Sequence, residues 1–279
     1  MRFGKVVKNV YYSKIANVYD QTRWLTELIA EDVADFILNL VNATPETTFL
    51  EPGVGTGLNV LPFVKRGYSV TGIDVSQEML NQFRQKLPEM PPNLNLIHGD
   101  ASHLPFADSS FDVVLTVHML HAISSLSTFL DEIDRVLKPN GFYLNAQWIT
   151  PPARREFEQY FRNILAKYEE PKPPRQKPRT IDEINVEDYL RNKGYQCSYF
   201  VAKEWTVSNT VQELLSFYRS RAYGLCWLVT DEAFHLVMEE FEGFCQNHYG
   251  SLEAEVSSQA KFEIWAYSAS QSNPESGEG

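Results

Sequence analysis

Between residues 47 and 147, short apolar runs alternate with segments that have helical periodicity. The apolar runs predict five strands, at Thr48–Glu51, Ser69–Asp74, Leu94–His98, Val113–Val117 and Phe142–Gln147. Helical segments lie between them, near 58–66, 76–87 and 127–137. Short, nearly continuous apolar strands that alternate with helices are typical of a parallel sheet covered by helices on both faces. The region therefore predicts a doubly wound α/β core.

The flanking segments predict further helices and two more strands. Residues 11–42 have helical spacing, and the proline-rich stretch 168–180 predicts a stiff, irregular connection. The predicted elements after it are a helix near 186–193, a strand at Tyr199–Thr206, helices at about 210–222 and 231–247, and a strand at Glu255–Tyr267. We expect a core with N-terminal helices over residues 1–150, sheet completion and a helical cap over 151–268, and a disordered tail over 269–279.

The composition is that of a globular protein and excludes several kinds of partner. Of 279 residues, 43% are hydrophobic and 22% charged, and the net charge is −11. We expect no nucleic acid or anionic membrane as partner, because both require a basic face. Three scattered cysteines, Cys197, Cys226 and Cys245, predict neither a disulfide framework nor a zinc site. No apolar run approaches the roughly 20 residues of a membrane span. A cytoplasmic location fits these features, and the oligomeric state is left open.

A glycine-rich loop follows the first predicted strand. Its sequence is Phe49-Leu50-Glu51-Pro52-Gly53-Val54-Gly55-Thr56-Gly57. The three glycines allow a tight turn and a close approach of the backbone to a ligand, where a Cβ would collide. The dinucleotide fingerprint G-x-G-x-x-G, counted from Gly53, requires glycine at position 58, and Leu58 is there. The loop therefore predicts a ligand site of another kind, with a purely structural turn as the alternative.

Polar residues also follow the other predicted strands. Asp74 ends the second strand, and a carboxylate there can accept both hydroxyls of a ribose. The alternative is a helix N-cap at Asp74 or Ser76. The third strand leads into Gly99-Asp100-Ala101 and the fourth into residues 116–121. Open α/β sheets bind ligands at the carboxyl ends of their strands, so these segments predict a ligand site at that edge.

Four motifs occur in order: EPGVGTG, GIDVS, GDASHLPFADSSFDVVLTVHMLHAI and RVLKPNGFYL. In order and spacing the chain resembles the class I S-adenosylmethionine-dependent methyltransferases over roughly residues 11–150, and within them the small-molecule, ubiquinone- and menaquinone-type branch. The resemblance implies a mostly parallel seven-stranded sheet with helices on both faces, whose last two strands add at one edge with the final strand antiparallel. It also implies an inserted helical cap and methyl transfer from S-adenosyl-L-methionine to a small-molecule acceptor.

The resemblance also assigns a cofactor site. Gly53, Gly55 and Gly57 would pass beneath the methionine part of the cofactor, with Glu51 near its amino group. Asp74 would hold the ribose, and Asp100 would accept a hydrogen bond from the adenine amino group. The other predicted contacts are made by packing or by backbone atoms, at Tyr19, Val75, Met79, Ala101 and Val117. Pro52 departs from the family pattern and lacks one N–H donor.

Methyl transfer is an in-line displacement that chiefly needs alignment of the nucleophile and exclusion of water. A general base is needed only if the acceptor must lose a proton, and His118 and His121 are the candidates. The Leu120-His121 pair is, however, common in the family without a catalytic role. Trp148 and Tyr218 are candidates for the acceptor pocket, with core packing as the alternative for the cap helices. A basic cluster is formed by Lys172, Arg175, Lys177 and Arg179. It is interpreted either as a solvated loop or as a lid that attracts an anionic substrate.

Three alternatives remain. An NAD-dependent oxidoreductase is disfavoured by Leu58 and by the Gly99-Asp100 pair. Aminopropyl transfer is disfavoured because no acidic polyamine-binding motif is apparent. A non-catalytic protein that binds the cofactor would keep the same glycines and aspartates. The sequence leaves open the identity of the acceptor and the atom that receives the methyl group.

Overall fold

The computed structural model describes residues 12–168 and 184–269. Within these ranges the strands are β1 (Thr48–Pro52), β2 (Ser69–Asp74), β3 (Leu94–His98), β4 (Phe111–Val117), β5 (Leu137–Ile149), β6 (Tyr195–Thr210) and β7 (Glu255–Ala269). The α-helices that lie wholly within these ranges are α1 (Glu27–Leu40), α2 (Leu61–Lys65), α3 (Gln77–Gln85), α4 (Leu126–Val136), α5 (Pro152–Leu165), α6 (Val186–Asn192), α7 (Val211–Arg219) and α8 (Asp231–Tyr249). None of these helices is long and apolar enough to cross a membrane.

The chain divides into two compact units. The first, here called the sheet unit, comprises Leu25–Trp148, Pro178–Lys203 and Phe262–Gly279. The second, the helical unit, comprises Met1–Trp24, Ile149–Lys177 and Glu204–Lys261. The basic cluster between residues 172 and 179 lies outside the described residues, as do residues 270–279 of the tail predicted over 269–279. Its first residue, Ala269, ends β7 instead.

The strands form one sheet in the order β3-β2-β1-β4-β5-β7-β6. Strands β1 to β5 are paired in parallel, with β1 hydrogen-bonded to β2 on one side and to β4 on the other. The chain thus proceeds outward from β1 to β3 and then returns to the other side of β1. Such a change of direction opens a crevice at the carboxyl ends of the two central strands. This topology confirms the predicted doubly wound, mostly parallel sheet.

The last two strands extend the sheet beyond β5, as predicted. Tyr143 of β5 stacks on Tyr267 of β7 with ring centroids 5.6 Å apart. Further along β5, Gln147 donates to Glu263 at 3.3 Å. Since rising numbers on β5 meet falling numbers on β7, the two strands are antiparallel. Strand β7 therefore lies between β5 and β6 with its direction reversed.

Several element boundaries differ from the sequence prediction. Strand β5 begins at Leu137 rather than Phe142, because its pairing with β4 shifts register between Phe111 and Val113 and accommodates the loop-like stretch Lys138–Gly141. Helix α2 begins at Leu61 rather than residue 58, with a proline in its first turn, which is the position a proline favours. Helix α5 was not predicted, although its apolar residues Phe157, Phe161 and Ile164 have helical spacing.

Each unit has its own hydrophobic core. In the sheet unit, Leu50, Ile73 and Val114 of the central strands pack with Phe129 and Ile133 of α4. In the helical unit, α5, α7 and α8 enclose a core rich in aromatic residues that includes Phe157, Phe161, Tyr218 and Phe241. Burial of such side chains supplies the main stabilising free energy of a domain.

Candidate functional site

The loop after β1 has a left-handed backbone at all three predicted glycines. The φ angles are +72° at Gly53, +55° at Gly55 and +73° at Gly57. The backbone N–H groups of Gly53 and Val54 both donate to the carbonyl of Ile73 in β2, at 2.7 and 3.2 Å. The loop is thereby held across the carboxyl ends of β1 and β2.

The three glycines have different surroundings. A Cβ on Gly53 would lie 2.7 Å from Cγ of Met119, and one on Gly57 would lie 2.4 Å from the ring of Phe83. At Gly55 the nearest atom to a Cβ is the Gly53 carbonyl oxygen, at 3.9 Å. Gly53 and Gly57 are therefore required for packing, whereas the backbone at Gly55 presents an open face that a ligand can approach.

Glu51, at the end of β1, is a buried acid with a relative exposure of 1%. Its Oε1 accepts a hydrogen bond from Nδ2 of Asn59 at 3.0 Å. Among the described residues, its Oε2 is buried and has no hydrogen-bond partner. Burial holds the pKa of the Glu51 carboxyl well above its usual value, the Asn59 bond opposes this shift, and the charge of Asp74 adds to it. A cationic donor at Oε2 would satisfy the buried acceptor and favour the charged form.

Asp74, at the end of β2, holds the glycine loop through both carboxylate oxygens. Oδ2 accepts from the Gly55 N–H and Oδ1 from the Ser76 N–H, each at 2.8 Å. Burial raises the pKa of the Asp74 carboxyl, and these two backbone donors oppose the rise. The N-cap of α3 is Ser76, whose hydroxyl accepts from the Met79 N–H at 3.2 Å. The helix-cap alternative therefore applies to Ser76. Each Asp74 oxygen retains a lone pair for a further donor.

The remaining predicted cofactor residues of the sheet unit lie at the same edge of the sheet. Asp100 follows β3 and is exposed, with Oδ1 accepting from the Ser102 N–H at 2.9 Å. The side chain of Val75 is exposed, whereas three others are buried, namely Met79, Ala101 and Val117. Because β1 to β4 are parallel, the structure brings these residues to one edge of the sheet together with Glu51 and Asp74.

His118 follows β4 and has a left-handed backbone, with φ of +52°. Its Nε2 accepts a hydrogen bond from the Trp148 backbone N–H at 2.8 Å, and its ring makes an edge contact with the Trp148 indole at 5.2 Å. In the neutral ring the proton is then on Nδ1. Trp148 is buried, with 3% exposure. His121 lies in a 3-10 turn, Leu120–Ala122, and its side chain is exposed.

Two predicted residues, Tyr19 and Tyr218, belong to the helical unit. The ring of Tyr19 lies beneath the guanidinium of Arg23, 4.0 Å from its centroid. Tyr218 is buried on α7 and lines a small cavity within that unit. Sequence reasoning missed Asn59, which orients Glu51. Its position eight residues after the acid, just beyond the glycine loop, was the available signal.

Comparison with known proteins places this geometry in a family. Residues 50–145 match the model of a methyltransferase domain. The chain is 30% identical over 159 residues to the demethylmenaquinone methyltransferase of Tropheryma whipplei strain Twist, which is 56% of this chain and 64% of that protein. It is 31% identical over 158 residues to the Streptomyces avermitilis enzyme of the same name, covering 55% of this chain and 67% of that one. The match thus spans about two thirds of these relatives' length.

A solved structure has the same fold. A putative methyltransferase from an antibiotic biosynthesis pathway of Anabaena variabilis superposes with a TM-score of 0.55 at 16% identity, over 84% of this chain and 95% of that one. The fold is that of an α/β protein with a crevice at the carboxyl edge of its sheet, which is where open α/β sheets bind ligands. The chain belongs to the class I S-adenosylmethionine-dependent methyltransferases. The cofactor of this family is S-adenosylmethionine.

The residues present fit that cofactor. S-adenosylmethionine carries an ammonium group and a sulfonium group, and the site offers two carboxyl groups whose charged forms are disfavoured by burial. The buried Oε2 of Glu51 matches an ammonium donor, and Gly55 leaves space beside it. Within the described residues no group of three or more His, Cys, Asp or Glu side chains is arranged to hold a metal ion.

Proposed function

We propose that this protein transfers a methyl group from S-adenosylmethionine to a small-molecule acceptor by in-line displacement. The observation that carries the proposal is the buried carboxylate of Glu51, whose Oε2 has no hydrogen-bond partner among the described residues, beside the open backbone of Gly55. A buried acceptor without a donor is costly, so it marks the place of a ligand donor. The quinone-type relatives support a small planar acceptor.

In this proposal the chain's own residues bind and orient the cofactor. Glu51 holds the ammonium group of the cofactor, and Asp74 receives the ribose hydroxyls on the lone pairs that Gly55 and Ser76 leave available. Asp100 and the Ala101 N–H meet the adenine, Val75 and Met79 pack near the ribose, and the backbone of Val117 contacts the methionine end of the cofactor. Tyr19 stays a predicted contact. The bound cofactor supplies an electrophilic methyl carbon. The protein contributes alignment and the exclusion of water.

The two histidines are proposed for different tasks. Since Nε2 of His118 accepts the Trp148 N–H, the neutral ring carries its proton on Nδ1 and acts as a donor there. His118 therefore suits orientation of an acceptor oxygen better than removal of a proton. Exposed His121 is the remaining candidate for a general base if the acceptor is a hydroxyl. Trp148 and Tyr218 stay proposed acceptor contacts.

Calorimetric titration with S-adenosylhomocysteine tests the cofactor site, and a screen of metabolites with labelled S-adenosylmethionine tests turnover. We expect micromolar or tighter binding of S-adenosylhomocysteine, no binding of NADH, and label in a small-molecule product. Binding of NADH alone would contradict the proposal. The second candidate, a non-catalytic cofactor-binding protein, is favoured if S-adenosylhomocysteine binds but label never reaches any metabolite. A cytoplasmic location is part of the proposal, supported by three free thiols at Cys197, Cys226 and Cys245.

A further inference from the structure

The helical unit contains a cavity of about 120 Å³ whose wall combines aromatic rings with arginine side chains. The residues that matter here are Arg23, Trp24, Arg154, Phe157, Tyr218 and Tyr223. The volume is similar to the roughly 150 Å³ of an apolar protein cavity that holds a benzene ring. A wall of this kind differs from an ordinary core, where arginine is rarely buried without a carboxylate partner.

Arg154, in α5, is a half-buried arginine of this wall. Its Nε and Nη2 donate to Oδ1 of Asn209 at 3.2 and 2.5 Å, and its Nη1 donates to the Thr22 carbonyl at 3.1 Å. Both acceptors are neutral, and within residues 12–168 and 184–269 no carboxylate ion-pairs with Arg154. These three bonds use three of the five guanidinium N–H groups and leave one on each terminal nitrogen. Burial lowers the pKa of Arg154, the charge of Arg23 acts in the same direction, and the charge of Glu213 opposes both.

The charges around the cavity are predominantly positive. Arg23 contributes a second guanidinium to the wall, and its charge acts against the protonated form of Arg154. Glu158 is the acidic side chain of the wall, and it is ion-paired with Arg162 at 2.5 Å. The cavity therefore favours an anion.

The aromatic rings give the cavity flat, fixed walls. Tyr218 packs against Phe161 at 4.5 Å, Tyr223 at 4.9 Å and Phe157 at 5.7 Å between ring centroids. The indole of Trp24 contacts the Arg154 guanidinium at 5.3 Å. Rings held in this way favour a planar ligand, and each tyrosine hydroxyl can donate a hydrogen bond to it.

We propose that this cavity binds a small aromatic carboxylate. The planar carboxylate accepts the two remaining N–H groups of Arg154, and the ring packs against the aromatic walls. Paired N–H donors on one guanidinium match the two oxygens of a carboxylate, which makes such bonds strong and directional. The proposal concerns binding alone and does not depend on where a methyl group is transferred.

Calorimetric titration with benzoate, with benzamide as its neutral analogue, tests this inference. We expect benzoate to bind the full chain and benzamide to bind about ten- to a hundredfold more weakly, since the charged acceptor is lost. Arg154→Met should weaken benzoate binding by a similar factor, and Arg154→Lys by less. Arg155→Met is the matched control, because Arg155 is an exposed neighbour on the same helix. It should leave benzoate affinity unchanged.

Three results would overturn the proposal. The first is that the unmodified protein does not bind benzoate, and the second is that it binds benzoate and benzamide with equal affinity. The third is that Arg154→Met and Arg155→Met lose benzoate affinity equally. If Arg154→Met fails to fold, Tyr223→Phe replaces it, because removal of one hydroxyl keeps the ring in place. We then expect a loss of benzoate affinity of about three- to tenfold, because the ligand loses one hydrogen-bond donor. No change in benzoate affinity in that variant would refute the proposal.

Discussion

Replacement of Glu51 by glutamine separates stability from cofactor binding. The Glu51 carboxylate is 1% exposed, and its pKa is raised chiefly by burial. Glu51→Gln keeps an oxygen for the Asn59 donor and removes the buried charge. The variant should therefore be more stable than the unmodified protein at neutral pH and should bind the cofactor less tightly.

The two effects differ in magnitude. An unpaired buried group costs about 1–3 kcal/mol and more when it is charged. Glutamine removes the charge but leaves its amide NH2 unpaired at the position of Oε2, so the net gain should be about 1 kcal/mol, or roughly 3 °C in Tm. A hydrogen bond between the charged carboxylate and the ligand's ammonium group contributes about 1.5–3 kcal/mol, so the affinity for S-adenosylhomocysteine should fall about ten- to over a hundredfold.

The pH dependence provides a second readout. Because the folded state binds the Glu51 proton more tightly than the unfolded state, its contribution to stability is full below the usual pKa of 4.5 and is lost as pH rises through the raised native pKa. The Tm advantage of Glu51→Gln should therefore grow with pH. Cofactor affinity of the unmodified protein should also rise with pH, since the cation binds the ionised form. The increase of cofactor affinity with pH should be smaller in Glu51→Gln.

Thermal unfolding and calorimetric titration between about pH 5 and pH 8 measure both effects. Glu46→Gln is the matched control, because Glu46 is exposed on the loop before β1. That variant should change neither Tm nor affinity. A Glu51→Gln variant that melts earlier and binds S-adenosylhomocysteine normally would refute the assignment of Glu51 as the ligand's partner.

Three further predictions follow from the site and the cap. Gly57→Ala should lower Tm by more than Gly67→Ala. Both positions have positive φ, but only at Gly57 would a Cβ collide with a ring, at 2.4 Å. Equal losses of Tm would mean that backbone strain alone determines the effect. Asp74→Asn should weaken S-adenosylhomocysteine binding about ten- to over a hundredfold. It should also lower Tm, because one backbone N–H of the loop loses its acceptor. Unchanged affinity by calorimetry would contradict the ribose assignment. Exchange of residues 208–250 with those of a relative should change which acceptor is methylated in a product assay and leave cofactor affinity unchanged. Retention of the original acceptor would contradict a role for this segment in substrate choice.

The parallel core was predictable because its strands are short and apolar. Residues such as Leu50, Ile73 and Val114 are buried on strands that alternate with helices, and this pattern alone specifies a covered parallel sheet. Strand β6 was predicted too short, at Tyr199–Thr206 rather than Tyr195–Thr210, because it has no fully buried residue and its pattern is weak. The omission of α5 is different, since its apolar spacing was present in the sequence.

The site was predictable to the extent that it is local in sequence. The left-handed glycines and Asp74 lie within 22 positions of one another, so motif and strand order locate them together. The partner of Glu51 was not predicted, because contact between Glu51 and Asn59 depends on how the loop folds back. The cavity in the helical unit was missed for a stronger reason. Arg23, Arg154 and Tyr218 are far apart in the chain, and their proximity arises only from tertiary packing.

Unfavourable features of the sheet unit concentrate at the carboxyl ends of β1, β2 and β4. Glu51 is a buried acid, the pKa of the half-buried Asp74 carboxyl is raised, and His118 has a left-handed backbone that costs a residue with a Cβ about 1 kcal/mol or more. The same strands bury Leu50 and Val114 completely at their centres, where packing is favourable. A core that is stable enough to tolerate these costs can hold polar groups in position for a ligand that forms hydrogen bonds with them. Removing the buried charge of Glu51 should therefore stabilise the free protein and weaken its complex, whereas replacing Asp74 also removes an acceptor of the glycine loop and should destabilise both.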